Sequence, residues 1–287
     1  MSENCDFTQM RRLSADIRIE TIRSLAKAGF GHIGGSASIA DVLGVLYGGV
    51  MKIDPSNPNW EERDWLVLSK GHCGPALYAA LALKGYFPMD WLTTVNKGGT
   101  RLPSHADRLR TPGVDMTTGS LGQGISAAVG IALGNRTRGL KNYTYCIVGD
   151  GELNEGQVWE AAMAANNFRL GRFILFVDWN KKQLDGRIEE VSDPVDIVKK
   201  FETFGFMVET VKGYKPAEIY TAIQNAKKDD GKPSAIILDT IKGLGVSFAE
   251  RAEFNHYLTI DNAMAEEGIA EIEKRLAAGT YPGGDLV

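Results

Sequence analysis

The sequence predicts an α/β fold, a doubly wound parallel sheet with helices on both faces. Three observations carry that reading. From Tyr143 onward, short apolar runs alternate with stretches of helical period. The runs are continuously apolar rather than alternating, as strands covered on both faces must be. Glycine, aspartate and asparagine gather just after the runs, where open parallel sheets bind their ligands.

Phe7 to Ala28 is predicted helix, because Met10, Leu13, Ile17 and Leu25 recur at helical spacing and Gly29 stops it. Gly29 to Ser36 (GFGHIGGS) is glycine-rich and is expected to be a loop. Ser38 followed by Asp41 suits the start of a second helix, through Ile39, Val42, Leu43 and Leu46. Asp54 to Asn59, with two prolines, is a surface connection. Trp65 to Leu68 is a short buried strand, Pro75 to Lys84 a helix, and Asn96 to Gly119 a long irregular passage. Gly122 to Arg138 is a helix of small residues. Strands follow at Tyr143 to Val148, Phe173 to Val177, Met207 to Val211 and Ala235 to Leu238, with helices at Gly156 to Phe168 and Pro216 to Lys228. A last amphipathic helix carries Ile269, Ile272 and Leu276. No repeat or boundary interrupts the pattern, so residues 1–287 are expected to form one domain with a peripheral helix at about 261–278.

With 287 residues, 44% of them hydrophobic, the chain can bury a large core. A net charge of -4 with scattered Lys and Arg argues against nucleic acid as a partner. Met1 to Arg12 is polar and lacks the apolar centre of a signal peptide. No apolar run reaches the roughly 18 residues that span a bilayer. A cytoplasmic location without membrane contact is therefore expected. Cys5, Cys73 and Cys146 lie far apart without ligand spacing and are expected to be reduced thiols.

The segments just after the strands are Ser69 to His72, Gly149 to Gly151, Asp178 to Asn180, Val211 to Gly213 and Thr240 to Gly245. Gly149-Asp150-Gly151 sets a carboxylate between two glycines at a strand end. A dinucleotide site, as in a nicotinamide-dependent dehydrogenase, is a poor reading because that carboxylate would repel a pyrophosphate. A divalent cation reverses the sign. Asn180, at the next strand end, and the carbonyl of Lys182 are then candidate second and third oxygens for a metal. Taken singly, Asp150 is explained as a helix cap and Asn180 as a turn residue. At two successive strand ends, the metal site is the better reading. His32, His72, His105 and His256 are the four histidines, all expected in loops, and three of them sit among glycine, proline or serine. Imidazoles so placed can hydrogen-bond phosphate or sugar hydroxyls and exchange protons near neutral pH.

Gly149-Asp-Gly151 followed by Asn180 is similar to the thiamine-diphosphate motif, in which the Asp and the last Asn bind the metal. Trp179 stands where the motif usually has a first asparagine. Three segments resemble transketolase: Ser69 to His72 (SKGH), Thr117 to Gly124 (TTGSLGQG) and Gly149 to Ala162 (GDGELNEGQVWEAA). The likeness runs from about residue 10 to about 250, as in N-terminal subunits of split transketolases. It implies the thiamine-diphosphate-binding fold of the diphosphate (PP) type. The implied cofactors are thiamine diphosphate and Mg2+ or another divalent cation. The implied cofactor-binding residues are His32, His72, Gly119, Leu121, Gly149, Asp150, Gly151 and Asn180, with Asp150, Asn180 and Lys182 on the metal.

The resemblance also implies that His105 meets a hydroxyl of the donor ketose. Ser104 and Ala106 flank it where relatives have glycine and proline, so the donor pocket is where this chain is expected to differ. His256 is a further candidate, although Asn255-His256-Tyr257 departs from the family's histidine-glycine pair. Glu155 matches a carboxylate linking two active sites across a subunit interface, although the helix dipole alone explains an acidic residue there. The implied reaction moves a two-carbon ketol unit from a ketose to an aldose, and the sugar, phosphorylated or an unusual branched or sulfonated one, is left open. Residues 251–287 leave no room for a pyrimidine-binding domain, so the activating glutamate is expected from a C-terminal partner subunit in an α2β2 assembly. The rival readings are a 1-deoxyxylulose-phosphate synthase-like chain, the α subunit of a 2-oxo-acid dehydrogenase, and a non-catalytic binding subunit.

Overall fold

The computed structural model describes residues 6–282. Five strands form one sheet: β1 Trp65–Leu68, β2 Thr144–Gly149, β3 Phe173–Trp179, β4 Met207–Lys212 and β5 Ser234–Asp239. Their spatial order is β1-β2-β3-β5-β4, and every neighbouring pair is parallel. The helices that matter below are α1 Phe7–Ala28, α2 Ile33–Ser38, α3 Ala40–Val45, α4 Gly74–Leu83, α5 Gln123–Thr137, α6 Gly156–Asn167, α7 Ile197–Thr203, α8 Pro216–Ala226 and α9 Asn262–Ala277.

Successive residues of β1, β2, β3 and β5 enter opposite cores, because side chains alternate across a sheet, whereas the edge strand β4 buries only Val211. Tyr145, Ile147, Ile174 and Phe176 pack with α1, α3, α4 and α8. Cys146, Val148, Leu175 and Val177 pack with α5, α6 and α7. The sheet is therefore wound on both faces, as its apolar strands predict. The chain advances from β2 through β3 to the edge strand β4, then returns by α8 to insert β5 between them. That reversal brings the carboxyl ends of β2, β3 and β5 side by side. Gly149 pairs with Asp178, and Trp179 with Asp239.

Helix ends follow local chemistry. Asp6 caps α1 by accepting from Gln9 N–H at 3.0 Å, and Gly29 closes it at φ 89°, a left-handed conformation that suits glycine. Asp261 caps α9 in the same way through Met264 N–H at 2.8 Å. Cys73 and Cys146 are buried free thiols, and Cys5 lies outside the described residues. No helix among the described residues is long and apolar enough to cross a membrane.

Three expectations need correction. The glycine-rich stretch 29–36 is not simply a loop. Phe30–Gly31 pairs antiparallel with Leu258–Thr259, and α2 begins at Ile33. Gly34 and Gly35 are helical, and close packing there leaves no room for a side chain. A Cβ on Gly34 would lie 2.2 Å from the Asn255 carbonyl oxygen, and one on Gly35 would lie 2.8 Å from Cys73 Sγ. Ser38 does not open the next helix. Its hydroxyl donates instead to Asp178 at 2.7 Å, and α3 starts at Ala40. His72 sits in a tight helical turn, Gly71–Cys73, rather than in an open loop. The short helix α7 and the hairpin of Lys182–Gln183 with Gly186–Arg187 have no counterpart in the sequence reading.

Candidate active site

A cavity of about 230 Å³ lies beyond the carboxyl ends of the strands. Its lining includes His32, His72, His105, His256, Gly119, Leu121, Gly149, Asp150, Gly151, Asn180 and Lys182. Residues more than two hundred positions apart in the chain thus meet at one place. Of the predicted site residues, only Glu155 is absent from the lining. It is exposed and precedes α6 without a side-chain capping bond.

Asp150 follows β2 and is buried. One carboxylate oxygen accepts from Gly151 N–H at 2.8 Å, and the other reaches the next strand end to accept from Lys181 N–H at 2.5 Å. Asn180 accepts through Oδ1 from Lys182 N–H at 3.1 Å, so the turn after β3 is organised by its own amide. The capping and turn-making roles are therefore real, and they hold Asp150, Asn180 and Lys182 together. Burial first, and then the nearby Asp178 carboxylate, raises Asp150 to about 7. A carboxylate so disfavoured in its charged form gains from a neighbouring cation.

No group of three or more His, Cys, Asp or Glu among the described residues could hold a metal. The donors here are a carboxylate, an amide oxygen and a backbone carbonyl. That all-oxygen set suits a hard divalent cation with phosphate or water completing its shell. Glycines line the same wall. A Cβ on Gly35 would lie 3.2 Å from Lys70 Nζ and 3.3 Å from His72 Nε2, while one on Gly151 would lie 2.8 Å from Gln183 Cβ. Backbone can approach a ligand closely only where such atoms are missing. The residues present fit a metal-bound diphosphate.

Beneath the cavity is a buried ion pair. Lys70 Nζ donates to Asp178, whose same oxygen accepts from Ser38 Oγ at 2.7 Å and Asn180 Nδ2 at 2.7 Å. Burial works against the charged ammonium, yet Asp178 holds Lys70 above its ordinary value. The pair links α2, the turn after β1 and the end of β3, and it orients Asn180.

The four imidazoles form one cluster. His32 lies 5.5 Å from His72, 5.5 Å from His105 and 5.2 Å from His256 between ring centroids, and His72 lies 4.7 Å from His256. Burial lowers all four, to about 4 for His32 and about 3 for His256. They are neutral near pH 7, each offering one donor and one acceptor.

Sequence reasoning missed Lys70, Glu152, Asp178, Gln183 and Lys242. Glu152 is buried and accepts from Ser69 Oγ at 2.5 Å, Gly122 N–H at 2.8 Å and Gly149 N–H at 3.2 Å. It brackets three of the segments that frame the cavity. Lys242 donates to the Lys182 carbonyl at 3.0 Å and lies 3.2 Å from His256 Nδ1. Burial lowers it to about 8, so it is charged near pH 7. Lys70, Asp178 and Lys242 all fall in strand-end segments, which was the available signal. Val211 to Gly213, the fifth such segment, does not line the cavity.

Residues 9–282 match the family described as transketolase, thiamine diphosphate binding domain. The chain is 53% identical over 258 residues to the 6-deoxy-6-sulfo-D-fructose transketolase subunit of a Clostridium species (strain MSTE9), covering 90% of this chain and 94% of that protein. It is 37% identical over 258 residues to an apulose-4-phosphate transketolase subunit from Actinobacillus succinogenes, covering 88% and 92%. The transketolase structure from Leishmania mexicana superimposes with a TM-score of 0.86 at 32% identity, covering 93% of this chain and 41% of that one.

Proposed function

We propose, from the premise that this chain belongs to the transketolase thiamine-diphosphate-binding family, that it is the diphosphate-holding half of a two-chain transketolase for a sulfonated ketose. The observation carrying this reading is the 53% identity to a 6-deoxy-6-sulfo-D-fructose transketolase subunit, 94% of whose length is matched. The chain matches such subunits nearly end to end, whereas it spans 41% of the Leishmania mexicana transketolase chain. The rest of a transketolase is accordingly assigned to a partner carrying the pyrimidine-binding domain, in an α2β2 assembly in the cytoplasm.

Bound thiamine diphosphate supplies a carbon nucleophile for a ketose carbonyl. The protein's part is to bind and orient. Asp150 and Asn180 hold a magnesium or similar ion through side-chain oxygens, and Lys182 through its carbonyl. Gly149 and Gly151 let the backbone approach the diphosphate. Gly119 and Leu121 support the rest of the cofactor. His32 and His72, neutral and within one cluster, offer hydrogen bonds near the diphosphate and the reacting end of the donor. His105, the most open of the four, meets the donor hydroxyl, and His256 completes the pocket. Glu155, exposed before α6, is assigned to the contact with a neighbouring subunit.

The test is to co-express the chain with its partner and offer 6-deoxy-6-sulfo-D-fructose, fructose 6-phosphate and xylulose 5-phosphate as donors with thiamine diphosphate and Mg2+. Two-carbon transfer from the sulfonated donor with the highest kcat/KM is expected, with loss of transfer in EDTA. Transfer by this chain alone would refute the two-chain reading, and a preference for either phosphate ester would refute the donor assignment.

A further inference from the structure

A second concavity, of about 530 Å³, lies beside the amino end of β1, and it shares no lining residue with the cavity at the strand ends. Five arginines line it: Arg63, Arg101, Arg108, Arg110 and Arg138. They come from three separate stretches, namely the turn before β1, the segment from Arg101 to Arg110, and the residue that follows α5. Only two carboxylates share the wall, Glu61 and Asp115, which leaves an excess of three positive charges. Both carboxylates are already engaged. Asp115 accepts from Arg63 at 2.5 Å on one oxygen and from Leu66 N–H at 2.8 Å on the other. Glu61 meets Arg138 at 2.9 Å. Arg110 has only Asp107, at 3.5 Å and outside the wall. Arg101 and Arg108 form no salt bridge among the described residues, and the guanidinium of Arg101 lies 5.0 Å from the centre of the Trp91 ring. Arg63 is fixed in place, with Cζ 3.8 Å from the centre of the Trp65 ring and Nη1 donating to the Trp60 carbonyl at 3.1 Å.

Like charges brought together from distant segments repel one another, and a concave wall of one sign focuses its field on whatever enters. A solvated basic face would let exposed arginines spread apart, whereas these line one cavity. Its volume falls within the roughly 300–1,000 Å³ of small-molecule sites, too small for a folded partner surface. Guanidinium groups pair with phosphate through two parallel hydrogen bonds, and a phosphate monoester carries about −1.5 to −2 charges near pH 7. Two such groups answer three positive charges. From this convergence we infer that the concavity beside β1 is a binding site for a small molecule bearing two phosphate groups. Arg101 and Arg108 supply its unpaired charge, and Arg63 a guanidinium already held in position. The segment from Arg101 to Arg110 also carries His105 to the other cavity, so one loop serves both sites.

The test uses the complex of this chain with its partner, saturated with thiamine diphosphate and Mg2+ so that the cofactor cavity is filled. Calorimetry measures binding of 2,3-bisphosphoglycerate, a probe with two phosphates and no ketose group. Arg101→Gln and Arg108→Gln should each raise its Kd about tenfold or more, the worth of a charge-assisted hydrogen bond. Both residues are exposed and neither lines the cofactor cavity, so Tm and two-carbon transfer should stay at wild-type values. Glu61→Gln releases Arg138 and should tighten the probe about two- to fivefold, a gain that misfolding does not produce. The inference is overturned if the wild-type complex binds no probe. It is overturned equally if the double arginine variant binds within twofold of wild type, because the probe then sits elsewhere. Binding by this chain alone but not by the complex also overturns it, since the concavity is then a subunit contact.

Discussion

Glu152 shows how a single buried carboxylate organises the mouth of the sheet. It accepts from Ser69 after β1, from Gly122 before α5 and from Gly149 at the end of β2. Burial raises its pKa although three donors favour the charged form, so the bracket works against its own desolvation. Removing the carboxylate strands those donors in a dry place. Glu152→Ala should therefore cost about 1–3 kcal/mol of stability, read as a lower urea midpoint with an unchanged slope. An unchanged midpoint would show that the three segments hold one another without it.

Individual elements answer to space as much as to propensity, and two glycines make the point with opposite signs. Gly71, between β1 and α4, would carry a Cβ 2.5 Å from the Thr118 carbonyl carbon. Its own carbonyl accepts from Ala106 N–H at 3.3 Å, so it lies between the His105 loop and the loop that leads to Leu121. Gly71→Ala should displace the 117–124 loop, cost about 1–3 kcal/mol and weaken thiamine diphosphate binding in calorimetry. Gly130 is exposed in the middle of α5 with nothing within 4 Å of its missing Cβ. Gly130→Ala should instead stabilise this chain by about 0.5–1 kcal/mol in urea denaturation, through the better helix propensity of alanine. The same logic explains α2. Its two consecutive glycines read as a loop, yet they lie in a helix packed too closely on Asn255 and Cys73 to admit a side chain.

Across the whole molecule, Arg18 ties the amino-terminal helix to elements far along the chain. It is fully buried, donates to Asp41 at 2.6 Å and to the Leu244 carbonyl at 2.7 Å, and bonds the Tyr281 hydroxyl. The loop that carries Lys242 is thereby fixed to α1 and α3. Replacing Arg18 leaves the Asp41 carboxyl group without its ion-pair partner in the core, where its other oxygen already lacks a hydrogen bond. Arg18→Met should cost about 3–5 kcal/mol by urea denaturation, and a loss below about 1 kcal/mol would mean that the carboxylate finds another partner. At this scale charge also reorganises. Arg63, Arg101, Arg108, Arg110 and Arg138 are scattered in sequence but gather around a second concavity near the start of β1, where Asp115 and Glu61 pair with Arg63 and Arg138.

The sequence by itself determined the α/β class, the four strands after Tyr143 and the placement of Asp150 and Asn180 at successive strand ends. Those features are local. A run of apolar residues, a glycine-flanked aspartate or a capping residue carries its meaning within a few positions of itself. The histidines were visible as types in unusual surroundings, but their meeting within 4.7–5.5 Å was not. Only the tertiary structure decided the β5 insertion, the helical state of α2, the Lys70–Asp178 pair across 108 residues and the contact of Lys242 with Lys182 across 60. Each depends on which distant atoms share a desolvated space, and no local pattern records that. The same distinction separates Asp150, whose place between two glycines at a strand end is legible locally, from Lys242, which is an ordinary lysine until the fold buries it against the Lys182 carbonyl and His256.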